Sequence, residues 1–151
     1  MSASNQRYPV AHELIFPHGC YLITEVEAVR DFDKSTRDNF VQAMDKVTGL
    51  RVWSAMAHDA DPDVRKNDKT VEVKFLCDVQ PVPPPAVAGT PFRPVEFEGL
   101  MVTPYLDDKS CKPARPGEQH RCRSRIAYSL RAIGMRAPRQ AGGKAGASDA
   151  A

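Results

Sequence analysis

The chain lacks any apolar run approaching the length needed to cross a bilayer as a helix. Its first residues, MSASNQRYPV, lack a charged segment followed by an apolar one, the pattern of a secretory signal. A cytoplasmic protein with no membrane partner is therefore expected. Compact catalytic signatures are missing as well. There is no G-x-S-x-G, H-E-x-x-H, P-loop or G-x-G-x-x-G, and His12, His18, His58 and His120 have no motif-level partners. No enzyme is expected. None of the four cysteines (Cys20, Cys77, Cys111, Cys122) belongs to a C-x-x-C pair, and in a cytoplasmic chain all four are expected to be reduced. Glycine is outnumbered by proline, 9 to 13, a density that stops helices and punctuates loops.

Strand signals take the place of helices. CYLITEVEAV is rich in β-branched and aromatic residues. FVQAM and LRVWSAM flank DKVTG, which reads as a hairpin turn with Gly49 available for positive φ. KTVEVKFLC alternates, with Val71, Val73, Phe75 and Cys77 on one face and Glu72 and Lys74 on the other. VQPVPPPAVAGTPFRP fits neither strand nor helix interior and reads as an extended linker. VEFEGLMVTPYL is strand-like with Gly99 as a bulge. DDKSCKPARPGEQH is a polar hairpin loop, and RCRSRIAYSLRAIGM is the last strand. STRDNFVQAMDKV competes weakly as a helix. About six short strands with turns between them predict an all-β fold, a small closed or partly open barrel of oligonucleotide-binding-like type. The barrel is expected to be one domain over residues 1–137, followed by a disordered Gly/Ala-rich tail over 138–151.

Charge is unevenly distributed. Residues 1–106 hold 11 Lys/Arg against 15 Asp/Glu, a net −4, whereas residues 107–151 hold 10 against 4, a net +6. Such asymmetry points to an anionic partner for the basic part. In the last strand, a period of two puts Arg121, Arg123 and Arg125 on one face and Ile126, Tyr128 and Leu130 on the other. The arginines are expected to track phosphates, because the guanidinium fork donates two hydrogen bonds at once. The apolar set is expected to be core. Arg51 and Trp53 also share a face. Either Trp53 is an outward stacking platform for unpaired bases, or it is core and Val52 lies under a loop. Arg65, Lys66 and Lys69 add a basic loop. These eight residues are the candidate nucleic-acid-binding set.

Two metal patterns fall short. In DADPD, Asp59, Asp61 and Asp63 alternate, but Pro62 interrupts them and no calcium-loop glycine or glutamate follows. Cys111, His120 and Cys122 form C-x8-H-x-C, one ligand short of the four that structural zinc requires. No metal and no cofactor is expected.

Five segments taken together carry a resemblance: ELIFPHGCYLITEVEAVRDFDKSTRDN, VQAMDKVTGLRVW, DADPDVRK, PFRPVEFEGLMVTPY and RIAYSLRAIGMRAP. Across roughly residues 8–138 the chain resembles the plasmid replication, integration and excision activators of actinobacterial integrative and conjugative elements. The resemblance implies a non-enzymatic accessory role on a mobile element. The loop DDKSCKPARPGEQHRC departs from the shorter loop usual there. With no recognition-helix pattern visible, the expected partner is DNA, single-stranded in preference to duplex. The alternative is an adaptor that acts on a replication initiator or recombinase without touching DNA. A homo-oligomer is compatible with either reading.

Overall fold

The computed structural model of the chain describes residues 6–139. The expectation of a disordered tail over 138–151 therefore lies outside the described residues beyond Arg139. Nine strands form among the described residues. They are β1 (Tyr8–Pro9), β2 (Cys20–Leu22), β3 (Glu27–Ala28), β4 (Val52–Asp59), β5 (Thr70–Leu76), β6 (Arg93–Glu98), β7 (Met101–Asp107), β8 (Arg125–Ala132) and β9 (Gly134–Arg136). A short helix, α1 (His12–Ile15), and a 3-10 turn at Lys66–Asp68 accompany them.

β6–β7 and β8–β9 are one long antiparallel hairpin with a shared bend. The register is continuous across it: Glu98 faces Gly134 and Met101 faces Arg131. The bend is made at Gly99, whose φ is +58°, and a Cβ there would lie 2.6 Å from Ile133 Cγ1. Only glycine suits both the backbone angle and the close approach. Opposite the bend, the Ile133 N–H donates to the Glu98 carbonyl at 2.9 Å.

The bend closes a ring. β2 pairs with β4, β4 with β5, β5 with β8 and β8 with β7, and β6, continuous with β7, returns to β2. Counting β2–β3, β4, β5, β6–β7 and β8–β9 as five long strands, the order is 1-2-3-5-4 and back to 1. The only parallel pairing in this ring joins the third strand to the fifth. The chain thus forms a small all-β barrel of the oligonucleotide-binding-like kind, as its strand signals predict. β1 adds to the outer edge of β7 at Met101 and Val102.

The interior follows the period of two. Ala55 and Ala57 on β4 face inward beside Val73 and Phe75 on β5, small against large, with Leu22, Val95, Phe97, Leu100 and Ala132 filling the rest. Phe16, just after α1, closes one end by packing on Phe97 with ring centroids 5.8 Å apart. The proline-rich stretch between β5 and β6 has no regular structure, as expected. It is tied to the barrel where Gln80 Nε2 donates to the Val26 carbonyl and Arg93 Nη1 to the Pro84 carbonyl. The DKVTG turn closes as a narrow hairpin. Asp45 N–H donates to the Leu50 carbonyl, Met44 bridges Arg51, and Gly49 takes φ +73°.

Several expectations are corrected. CYLITEVEAV is two short strands, not one. FVQAM forms isolated bridges instead of a strand, and STRDNFVQAMDKV contains no helix. The last strand begins only at Arg125, so Arg121 and Arg123 lie in the loop before it and no strand-borne arginine ladder exists. Of the apolar set, Leu130 is core, but Tyr128 is 62% and Ile126 68% exposed. The parity of the strand is as expected; the covering strand is absent. β5 pairs with β8 only from Val73–Phe75 to Leu130–Ala132. Beyond those three pairs the two strands separate, and the inward side of β8 opens to solvent.

Candidate nucleic-acid interface

Strand direction divides the eight candidates between two ends of the barrel. Arg51 and Trp53 lie at the start of β4. Arg65, Lys66 and Lys69 lie in the loop after its end, about 23 Å away for seven strand steps. The ion pair from Arg125 Nη1 to Asp68 Oδ1, at 3.1 Å, brings that loop to the start of β8, where Arg121 and Arg123 also sit. Six of the eight candidates therefore gather at one end, and Arg51 and Trp53 do not join them.

Trp53 is not a free platform. It packs half-buried against the core and its indole N–H donates to the Cys77 carbonyl at 2.9 Å. Val52 is the buried residue under the loop, its carbonyl held by the Val29 N–H and by Gln42 Nε2. The core alternative is the one the chain adopts, because Trp53 continues the inward parity of Ala55 and Ala57. Arg51 is exposed at the opposite end of the barrel from the other candidate arginines.

Arg125 is committed to protein partners. It bonds Asp68 on one side and Asp107, its cross-strand neighbour, on the other, and both carboxylates raise its pKa. Arg121 and Arg123 make no ion pair among the described residues and are exposed. With Lys112 they line a concavity of about 540 Å³ folded within loop 108–124. That loop carries five basic residues (Lys109, Lys112, Arg115, Arg121, Arg123) against two acidic ones (Asp108, Glu118), a net +3. It is held by turns, Cys111 N–H to the Asp108 carbonyl and Glu118 N–H to the Arg115 carbonyl.

The three ligand-type side chains of this loop meet. Cys111, His120 and Cys122 place their ligand atoms within 4.8 Å of one another. The Cys122 thiol is drawn down to about 7, chiefly by its hydrogen bonds to Ser124, with Cys111 and His120 contributing. The acidic run behaves otherwise. Asp59 Oδ1 accepts the Asp61 N–H and Asp61 Oδ1 accepts the Asp63 N–H, each at 2.9 Å. Its alternation thus has a local cause, successive side-chain-to-backbone turns.

Reasoning from the sequence misses the aromatics of this end. Tyr128 on β8 and Tyr105 on β7, 48% exposed, line the opening where β5 and β8 part, a cleft of about 740 Å³. Alternation alone assigns Tyr128 to the core. The signal that could have found them is length, since the β7 and β8 runs are too long for a barrel whose fourth and fifth strands must also form the bend. Comparison with known proteins finds no matching family model, no matching curated protein and no matching solved structure.

Proposed function

We propose that this chain is a non-enzymatic nucleic-acid-binding barrel. In that reading single-stranded DNA lies over the end of the barrel built by loop 108–124 and the starts of β5 and β8. The setting is the one the sequence resemblance implies, replication, integration and excision of a mobile element, processes that generate single strands. The observation that carries the reading is the grouping of Lys112, Arg121 and Arg123, none in an ion pair among the described residues, around one concavity that Glu118 also lines, at the end of the barrel where Tyr105 and Tyr128 are exposed on opposite faces of β7 and β8. Guanidinium forks suit phosphates and exposed rings suit unstacked bases, the two ingredients of single-strand binding.

The test is a fluorescence titration with a labelled single-stranded oligonucleotide at several salt concentrations. Changing Arg121 and Arg123 together to Gln should weaken binding. It should also make the slope of log affinity against log salt shallower by about 1.4, roughly 0.7 for each phosphate no longer neutralised. Tyr128→Ala should weaken binding by about 1–3 kcal/mol while leaving that slope in place. Absence of binding by the unaltered chain at low salt would remove the reading.

One observation favours the adaptor as a second reading. Leu106 and Ile126 face each other across β7 and β8 and are both more than 60% exposed. Apolar pairs on an open ribbon suit a protein surface better than a phosphate backbone. Leu106→Ser, which lies outside the cleft lined by Tyr105 and Tyr128 and adds no charge, separates the two. It should leave oligonucleotide binding intact under the first reading and abolish initiator or recombinase stimulation under the second.

A further inference from the structure

Cys111 and Cys122 face each other across loop 108–124, with His120 beside them. The two sulfurs are 3.8 Å apart. A disulfide holds its sulfurs at about 2.05 Å. Two thiolates on one tetrahedral zinc, each about 2.3 Å from the metal, stand about 3.8 Å apart, because a tetrahedron's edge is about 1.6 times its centre-to-corner distance. The observed spacing matches the second arrangement, and His120 supplies a ring nitrogen within 4.8 Å of both sulfurs.

The surroundings suit metal-bound sulfur. The Arg123 N–H donates to Cys111 Sγ at 3.2 Å, and Ser124 Oγ lies 2.7 Å from Cys122 Sγ. Hydrogen bonds of this kind orient and stabilise ligating groups. Lys112, Arg121 and Arg123 offset the charge of two thiolates. The other cysteines are occupied elsewhere, Cys20 with the Val95 carbonyl and Cys77 with the Ile133 carbonyl.

The geometry points to an open, three-ligand site for a soft four-coordinate cation, zinc being the ion that fits. It is held by Cys111 Sγ, Cys122 Sγ and one ring nitrogen of His120, with the fourth position left to water or an outside ligand. The sequence expectation against zinc rests on the missing fourth ligand. That absence argues against a closed structural site, and an open site does not need one. On binding, the two thiol protons pass to solvent and no electron moves. The ligands alternate with arginines, His120–Arg121–Cys122–Arg123, so a bound ion would clamp the backbone that carries both arginines. The site stands independently of the nucleic-acid reading and lies outside the core, so its variants leave the barrel intact.

Cobalt(II) titrated into the reduced full-length chain tests this, followed by displacement with zinc against a colorimetric chelator. One equivalent of cobalt should produce thiolate-to-cobalt charge-transfer absorption that zinc abolishes. Cys111→Ser and Cys122→Ser should each reduce that band to about half or less and weaken zinc binding at least about tenfold, and His120→Asn should weaken binding with the band altered. Cys77→Ser should change nothing. Overturning results are the absence of the band in the unaltered chain, its persistence at full intensity in either cysteine variant, or a Cys111–Cys122 disulfide that resists reductant and excludes metal. Oligonucleotide affinity measured with and without zinc is a separate readout: failure of DNA binding would leave the metal result standing, and the reverse holds equally.

Discussion

At the scale of single residues, the most consequential interaction lies outside every sequence motif. Asp45, buried beneath the narrow hairpin, takes two hydrogen bonds from Arg7, 38 positions away, and two more from the Thr48 N–H and hydroxyl. Together they hold its carboxyl far below the ordinary carboxylate range. The pair ties the segment before β1 to the loop between β3 and β4, which packs little against the core on its own. Removing Arg7 leaves a buried carboxylate hydrogen-bonded only to Thr48, with the Arg131 charge nearby. Arg7→Ala should therefore cost about 2–3 kcal/mol, somewhat less than breaking a fully buried pair, read as a shift of the urea midpoint. A loss under about 0.5 kcal/mol would mean that water replaces the guanidinium. Arg7 and Asp45 could not be paired from the sequence, because nothing local joins them. The individual candidates Arg121 and Arg123 were legible as basic residues, but their place on a loop was not.

At the scale of elements, β8 shows what alternation can and cannot tell. Periodicity correctly puts Ile126, Tyr128 and Leu130 on one side of the strand. Whether that side is covered depends on β5, which is distant in sequence and pairs with β8 for only three residues. The contrast is measurable. Leu130→Ala should cost roughly 2–5 kcal/mol, since it empties a packed site beside Val73 and Val102. Ile126→Ala should cost under about 0.5 kcal/mol, as for other exposed positions. Equal losses at both would mean that the cleft is closed in solution. The same reasoning explains Trp53. Its parity relative to Arg51 was clear, but which parity faced inward was decided by Ala55 and Ala57, small residues that carry little hydrophobic signal. The Gly99 bend, the Gly49 turn and the irregular proline stretch were readable because each rests on local backbone chemistry.

For the molecule as a whole, barrel closure brings three titrating groups into surroundings that set its stability against pH. His12, between Phe16 and Phe97, accepts the Phe97 N–H on Nδ1, and burial lowers its pKa. The unfolded chain therefore binds that proton first, and stability falls as pH drops below about 6.5. Asp45 adds a second loss below about 4, where the unfolded carboxyl protonates before the folded one. Cys20, facing the core between β4 and β6, is pushed up to about 12 by burial. Above about 8.5 the unfolded thiol ionises while the folded one cannot, so stability also falls on the alkaline side. The predicted curve has two falling arms, below about 6.5 and above about 8.5, and between them Cys122, drawn down to about 7, adds a rise with pH. Each group on the two arms contributes at most about 1.4 kcal/mol per pH unit within its window. His12→Asn keeps an acceptor for the Phe97 N–H and should flatten the arm between about pH 5 and 6.5. Cys20→Ala should reduce the alkaline arm, with Cys77, which burial also pushes up, carrying the remainder, and leave the acid one. Denaturant melts of the three chains from pH 5 to 10 decide it. If the alkaline arm is undiminished in Cys20→Ala, the Cys20 thiol is not what loses stability there. If the acid arm survives in His12→Asn, the imidazole is not the neutral acceptor that closes this end of the barrel.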